Sequence, residues 1–159
     1  MNDRAQELIR LLALRPHPEG GHYCEDFRSL NRVSSRGRDR AALTSIYFLL
    51  VRGERSRWHR VAGADELWTY LEGDPIELWE LDPAGAFQRH TLGPVAPDRQ
   101  PQHVIRAGHW QGARPLGEYA LVTCAVGPGF EFDDFALLAS DPKAAEALLG
   151  GRPELAELL

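Results

Sequence analysis

The sequence predicts an all-β domain with helices at its two ends. Short apolar or alternating runs rich in β-branched and aromatic residues fill the middle of the chain, and Gly- and Pro-containing turns separate them. Helical periodicity is confined to the two ends. Many short strands joined in this way imply a closed or double-sheet antiparallel structure.

Asp3 stands as the N-cap of a first helix, with Gln6 three residues on, and Ala5, Leu8, Ile9 and Leu12 recur at helical spacing. Pro16 and Pro18 end it, so the helix is expected over about residues 3–14. The run LTSIYFLLV (43–51) is a β-rich apolar strand. ELWTYLEG alternates, with Glu66, Trp68 and Tyr70 on one face and Leu67, Thr69 and Leu71 on the other. PIELWEL and AFQRHTLG flank Asp82-Pro83-Ala84-Gly85, whose turn chemistry predicts a hairpin. EYALVTCAVGPGFEFDDFALLA reads as two strands around Gly127-Pro128-Gly129, with Phe130, Phe132 and Asp134 sharing a face. Helices return over about residues 142–158, where Asp141 caps, Pro142 takes the first helical position and Gly150-Gly151 stop the turn.

A chain of 159 residues fits one domain, and no internal repeat or linker divides it. The net charge of −5 argues against nucleic-acid or anionic-membrane binding, which draws on excess Lys and Arg. The Arg-rich stretch RSLNRVSSRGRDR (28–40) reads as a solvated loop, with phosphate gripping as its alternative. Two distant cysteines, Cys24 and Cys124, fit a reducing cytoplasm. Charges interrupt the first apolar run, so it reads as an amphipathic helix and not a signal peptide, and no apolar stretch matches a bilayer span. A cytoplasmic location is expected.

The chemistry concentrates in GERSRWHRVAGADELWTYLEG (53–73). His59 and Glu66 are seven apart, which on one continuous strand would put them on opposite faces. A strand ending near Val61, a turn through Ala62-Gly63-Ala64 and a returning strand from Asp65 form a hairpin that sets both into one interior. An imidazole and a carboxylate suit a divalent metal and equally suit proton transfer.

This spacing resembles the first motif of the cupin superfamily, G-x5-H-x-H-x3-4-E-x6-G, with Gly53, His59, Glu66 and Gly73 in place and Val61 where the second metal-binding His stands. RAGHWQ (106–111) is similar to the second motif, with Gly108 matched, Arg106 for Pro and Gln111 at the last His position. HPEGGHYCEDFRS, HRVAGADELW, GHWQGA and GPGFEFDDF occur in an order that resembles a family of small uncharacterised cupins, over most of residues 8–140. Thr69 and Cys24 depart from that family's frequent His and basic residue.

The resemblance implies a double-stranded β-helix, the cupin jelly-roll barrel, over about residues 20–138, often in a homodimer. Its bowl is expected to hold a small-molecule ligand. Candidate catalytic residues are His59 as acid or base, Glu66 as its partner and Tyr70 as an acid, with Tyr47 as the other tyrosine for that role. Candidate ligand contacts are Trp68, Gln111, Tyr23, Tyr47 and Phe132, and Trp68 and Tyr70 also suit plain barrel core. His22 reaches for the bowl from the first strand, Glu25 and Arg28 stand at its rim, and His109 adjoins the second motif. His17, His90 and His103 are expected at the surface, and the PEGG turn as a tight turn. A divalent metal on His59, Glu66 and Gln111 is the lesser reading, since Val61 removes one ligand. Three functions follow: an epimerase- or isomerase-like enzyme on a small polar or sugar-like carbonyl substrate, a non-catalytic metabolite-binding or sensing module, and a scaffold with a filled bowl.

Overall fold

In the computed structural model, residues 2–159 are described. Helix α1 (Asp3–Leu11) leads into strands β1 (Arg15–Pro16), β2 (His22–Arg28), β3 (Arg32–Ser35), β4 (Arg38–Ala41), β5 (Thr44–Val51) and β6 (Ser56–Val61). There follow β7 (Asp65–Gly73), β8 (Ile76–Leu81), β9 (Phe87–Leu92), β10 (Gln102–Ile105), β11 (Trp110–Pro115) and β12 (Tyr119–Gly127). A 3-10 turn (Phe132–Asp134), strand β13 (Phe135–Leu137), a second 3-10 turn (Leu138–Ser140), helix α2 (Pro142–Leu149) and a 3-10 helix (Pro153–Leu158) complete the order.

The strands form a six-stranded sheet in the order β1-β2-β5-β12-β7-β10, a five-stranded sheet in the order β13-β6-β11-β8-β9, and the separate β3-β4 hairpin. None of these sheets closes, which corrects the expected barrel: the fold is a sandwich of two open sheets. The edges explain this. β1 has two residues, one of them Pro16, which lacks an N–H; β13 has three residues. Across the other side, β9 and the β10 approach meet through the isolated Leu92–Gln100 bridge and not through a ladder.

Alternation decides what each sheet presents. Phe48 and Leu50 of β5, Trp68 of β7, Val122 and Cys124 of β12 and Ile105 of β10 meet Ile76 and Leu78 of β8 and Leu92 of β9 in one buried cluster between the sheets. Burying each large side chain of this kind is worth about 1.5–3 kcal/mol. The outer faces are covered by the chain's two ends. Ala5 and Leu8 of α1 pack on Leu49, Val51 and Leu121, while Leu149, Leu155 and Leu158 cover Trp58, Trp79, Leu81 and Trp110.

Several local expectations shift. Asn2, not Asp3, caps α1: its side-chain oxygen accepts from the Arg4 N–H at 2.9 Å. The segment 53–73 is not a hairpin, because β6 lies in the five-stranded sheet and β7 in the six-stranded one. The turn at residues 62–64 is a corner that carries the chain from one sheet to the other. Phe132 lies in a 3-10 turn and not on a strand, and only Phe135–Leu137 pairs, with β6. The Arg-rich stretch is a hairpin tied down by Arg40 to Asp134 at 3.0 Å.

Asp141 accepts from the Ala144 N–H at 3.0 Å ahead of Pro142. Asp141→Ala should lower unfolding free energy by about 1 kcal/mol in a urea titration. An unchanged midpoint would show that α2 contributes nothing to the cover of the sheet.

Candidate functional site

Near the corner, between the sheets, lies a cavity of about 170 Å³. His17, Glu19, His59 and Glu66 form its polar part, Ile46, Val61, Val126, Phe130 and Phe135 its apolar walls, and Arg15, Tyr23, Glu25, Arg28 and Phe132 its outer part. Each strand reaches it by alternation, except where register slips. A register shift between Glu25 and Phe27 makes Asp26 an extra residue in β2, so Glu25 and Arg28, three apart, both line the cavity and pair at 2.8 Å. A second shift in β6, opposite Gln111 and Ala113, puts Ser56 and His59 on one face.

Glu19 enters from the turn before β2. Gly20 (φ +113°) and Gly21 (φ +69°) adopt dihedrals that favour glycine, and a Cβ on Gly20 would sit 2.1 Å from the Arg55 carbonyl oxygen. The turn is therefore pressed against the chain entering β6, with Glu19 buried. Ser56 Oγ donates to Glu19 Oε1 at 2.8 Å, and Glu19 Oε2 lies 3.2 Å from His59 Nε2. His59 Nδ1 donates to the Arg57 carbonyl at 2.8 Å, which leaves Nε2 as an acceptor facing Glu19. Burial pushes the Glu19 carboxyl up to about 8, against the opposing hydrogen bond from Ser56 and the charge of Arg57. Burial also lowers His59, although Glu66 and the Arg57 carbonyl work the other way. Burial thus favours the neutral form of both groups, and the Glu19 carboxyl faces the unprotonated His59 Nε2.

The Glu19 N–H donates to His17 Nδ1 at 3.2 Å, and burial, aided by His59, lowers His17 to about 3. Burial raises Glu66 as well, with His59 opposing. Its Oε2 accepts from Gln111 Nε2 at 2.5 Å, and Gln111 Oε1 accepts from Trp68 Nε1 at 2.8 Å. Burial raises the Cys124 thiol well above its ordinary value, reinforced by Glu66.

Of the residues singled out in the sequence, His59, Glu66, Tyr23, Phe132, Glu25 and Arg28 line the cavity, and so does His17, against its expected place at the surface. Trp68 and Gln111 stand behind Glu66 as support. Tyr70 packs in the core and donates its hydroxyl to the Gly73 carbonyl at 2.6 Å, outside the lining. Tyr47 faces the opposite side of its sheet, against α1, because it alternates with Ile46 and Phe48. His22 also faces that side, 3.6 Å from Glu54. His59 and Glu66 approach from opposite sheets, and the nearer partner of His59 is Glu19. His17 and Glu19 were hidden in a stretch that reads as a turn; the one signal for them was an acid held between Pro18 and two glycines.

The bowl does not fit a metal. Both ends of the Gln111 amide are engaged, by Trp68 and Glu66, and Val61 is apolar. Among the described residues, the one group of His, Cys, Asp or Glu whose ligand atoms converge is elsewhere: Glu80, His90 and His103, a buried acid with two half-buried imidazoles, capable of coordinating a divalent ion.

Two open sheets packed around an off-centre polar cavity, one of them entered through a G-x5-H…E…G corner, define a cupin-type domain. The cupin superfamily family Cupin_5 (DUF985) matches residues 6–138. A structure from Shewanella oneidensis is 33% identical, with a TM-score of 0.86 over 99% of this chain and 98% of that one. A hypothetical protein from Leishmania major is 32% identical, with a TM-score of 0.78 over 87% and 93% of the two chains. Oxalate decarboxylase from Bacillus subtilis shares the fold alone, at 18% identity and a TM-score of 0.59 over 92% of this chain and 37% of that one. No curated protein matches the chain. The chain belongs to the cupin superfamily, in the family Cupin_5 (DUF985). No helix among the described residues is long and apolar enough to cross a membrane.

Gly20→Ala should cost about 2 kcal/mol or more, since it adds both a clash and a strained dihedral. Urea unfolding measures it, and wild-type stability would show that the turn does not press on β6. The buried acids and imidazoles also set a pH profile. Glu19 stays protonated in the fold to about pH 8 but ionises near 4.5 when unfolded, so its contribution is full below 4.5 and is lost as pH rises toward 8. His17 is held neutral down to about 3 against an ordinary 6.5, so its contribution is full above 6.5 and is lost as pH falls toward 3. The two slopes oppose one another between 4.5 and 6.5, leaving a decline from 6.5 to 8. Each group sets at most about 1.4 kcal/mol per pH unit. Glu19→Gln should flatten that decline in unfolding measured from pH 6.5 to 8, and an identical slope would mean that Glu19 is ionised in the fold.

Proposed function

We propose that this chain is a small-molecule-binding cupin whose bowl performs acid–base chemistry on a compact carbonyl compound, in the manner of an isomerase or epimerase. The observation that carries the reading is the contact of Glu19 Oε2 with His59 Nε2 at 3.2 Å inside a cavity. A protonated carboxyl beside an unprotonated ring nitrogen offers an acid and a base at one point. His59 Nε2 takes the proton from the carbon next to the carbonyl, and Glu19 gives its own to the carbonyl oxygen, forming an enol. The pair is left as imidazolium and carboxylate. Its net charge is the same before and after, so the buried site never holds an uncompensated charge.

The lining supports a small substrate. At about 170 Å³ the cavity lies below the ~300–1,000 Å³ of sites for drug-sized ligands. Phe130, Phe132 and Phe135 pack edge to face around it, with Phe130 and Phe132 centroids 5.0 Å apart, giving the cavity an aromatic wall. Arg15 lies over the Tyr23 ring at 5.3 Å from its centroid, positioned for an anionic group on the ligand. Tyr70, bound to Gly73, has no part in this scheme; Glu19 supplies the acid.

The test is deuterium wash-in. Small hydroxy-carbonyl compounds and sugar derivatives that raise the melting temperature are incubated with the protein in D₂O and followed by NMR. Exchange at the carbon next to the carbonyl is expected, and His59→Asn and Glu19→Gln should each slow it by about 10²–10⁴-fold while keeping the thermal shift. A thermal shift with no exchange would leave a non-catalytic binding module. Neither response would leave a scaffold.

A further inference from the structure

A second polar cluster sits away from the bowl, on the side of the sandwich where β9 and β10 face each other. Glu80 follows Ile76 and Leu78 on the inner face of β8, His90 lies on β9, and His103 lies on β10 of the other sheet. Their atoms converge on one carboxylate. His90 Nε2 is 2.9 Å and His103 Nε2 3.1 Å from the same oxygen, Glu80 Oε2. His109, in the turn before β11, places Nδ1 at 2.7 Å from the other oxygen, Oε1. The rings of His90 and His103 stack, with centroids 3.5 Å apart. Glu80 is 7% exposed, yet among the described residues no Lys or Arg pairs with it.

We infer that Glu80, His90 and His103 form a site for a borderline divalent cation such as zinc, with His109 holding the carboxylate in place. Ligands at about 2.0–2.1 Å from a tetrahedral zinc are roughly 3.3 Å apart, within a few tenths of an ångström of the two Glu80–His separations; on binding, the stacked rings splay and exchange their Nε2 protons for the ion. Imidazole nitrogen and carboxylate oxygen are the donors such an ion prefers. Glu80, His103 and His109 also line an open groove, which gives an ion a way in and leaves room for water on it. His109 on the second oxygen has the geometry of an outer partner that orients a metal-binding carboxylate. The ion would join β8 and β9 of one sheet to β10 of the other, where backbone pairing is missing, so binding is coupled to stability.

Full-length protein without a polyhistidine tag is stripped with chelator, then titrated with Co²⁺ and Zn²⁺. One equivalent of Co²⁺ should give visible ligand-field absorption, Zn²⁺ should displace it, and either ion should raise the melting temperature. His90→Asn and His103→Asn should each weaken binding by about 100-fold or more, and His109→Ala by about 10–100-fold. Glu80→Gln should abolish the absorption; if that variant does not fold, the two Asn variants, which keep a hydrogen-bond donor, decide the matter. His59→Asn should bind as wild type does. Absence of saturable binding in the wild type up to millimolar ion would overturn the inference. So would binding that survives the His90 and His103 substitutions, or binding lost with His59.

Discussion

The contact between a buried carboxyl and a buried imidazole governs how this sandwich is put together. Glu19 and His59 lie out of water, where an ionised and unpaired group would cost several kcal/mol. The fold meets this cost by favouring the neutral form of both and by surrounding them with polar partners. Ser56 donates to one Glu19 oxygen, His59 Nε2 lies 3.2 Å from the other, the Arg57 carbonyl takes the remaining His59 nitrogen, and Gln111 links Glu66 to the Trp68 indole. These groups come from the turn before β2 and from β6, β7 and β11, so the network ties the two sheets at one end of the core. The same neutrality that makes the network tolerable provides a proton to give and a site to receive one.

Small breaks in alternation deliver those groups. The shift in β2 brings Glu25 and Arg28 to one face, and the shift in β6 does so for Ser56 and His59. In β7, a shift beside Leu121 turns Glu72 outward, where it receives Arg4 of α1 at 2.7 Å. Each extra residue re-aims the side chains beyond it. The outer faces then carry the terminal helices, and the inner faces are left to the core and the two polar clusters.

Those clusters differ in kind. In the bowl, burial pushes the Glu19 and Glu66 carboxyls up, against the hydrogen bonds from Ser56 and Gln111. Glu80 sits at a wetter edge, where three imidazoles donate to it and hold it ionised. Desolvation wins in one place and hydrogen bonding in the other, and the chemistry each can support follows from that balance.

Composition and patterning determined a good deal by themselves: the all-β middle, the helices at both ends, the turn at Asp82-Pro83-Ala84-Gly85, the cap at Asp141, and the cupin spacing of Gly53, His59, Glu66 and Gly73. These are local or period-two properties, readable from neighbours along the chain. Sheet membership is not, and so the 62–64 turn looked like a hairpin when it is a corner between sheets, and an expected barrel is a pair of open sheets. The partnership of His59 with Glu19 was likewise hidden, since the two are forty residues apart and meet only because Gly20 lets the turn press on Arg55. His90 and His103 read as surface residues because nothing near them in sequence shows that Glu80 lies beneath. Which residues face inward was written in the alternation; which of them meet was decided by how two sheets stack and where their registers slip.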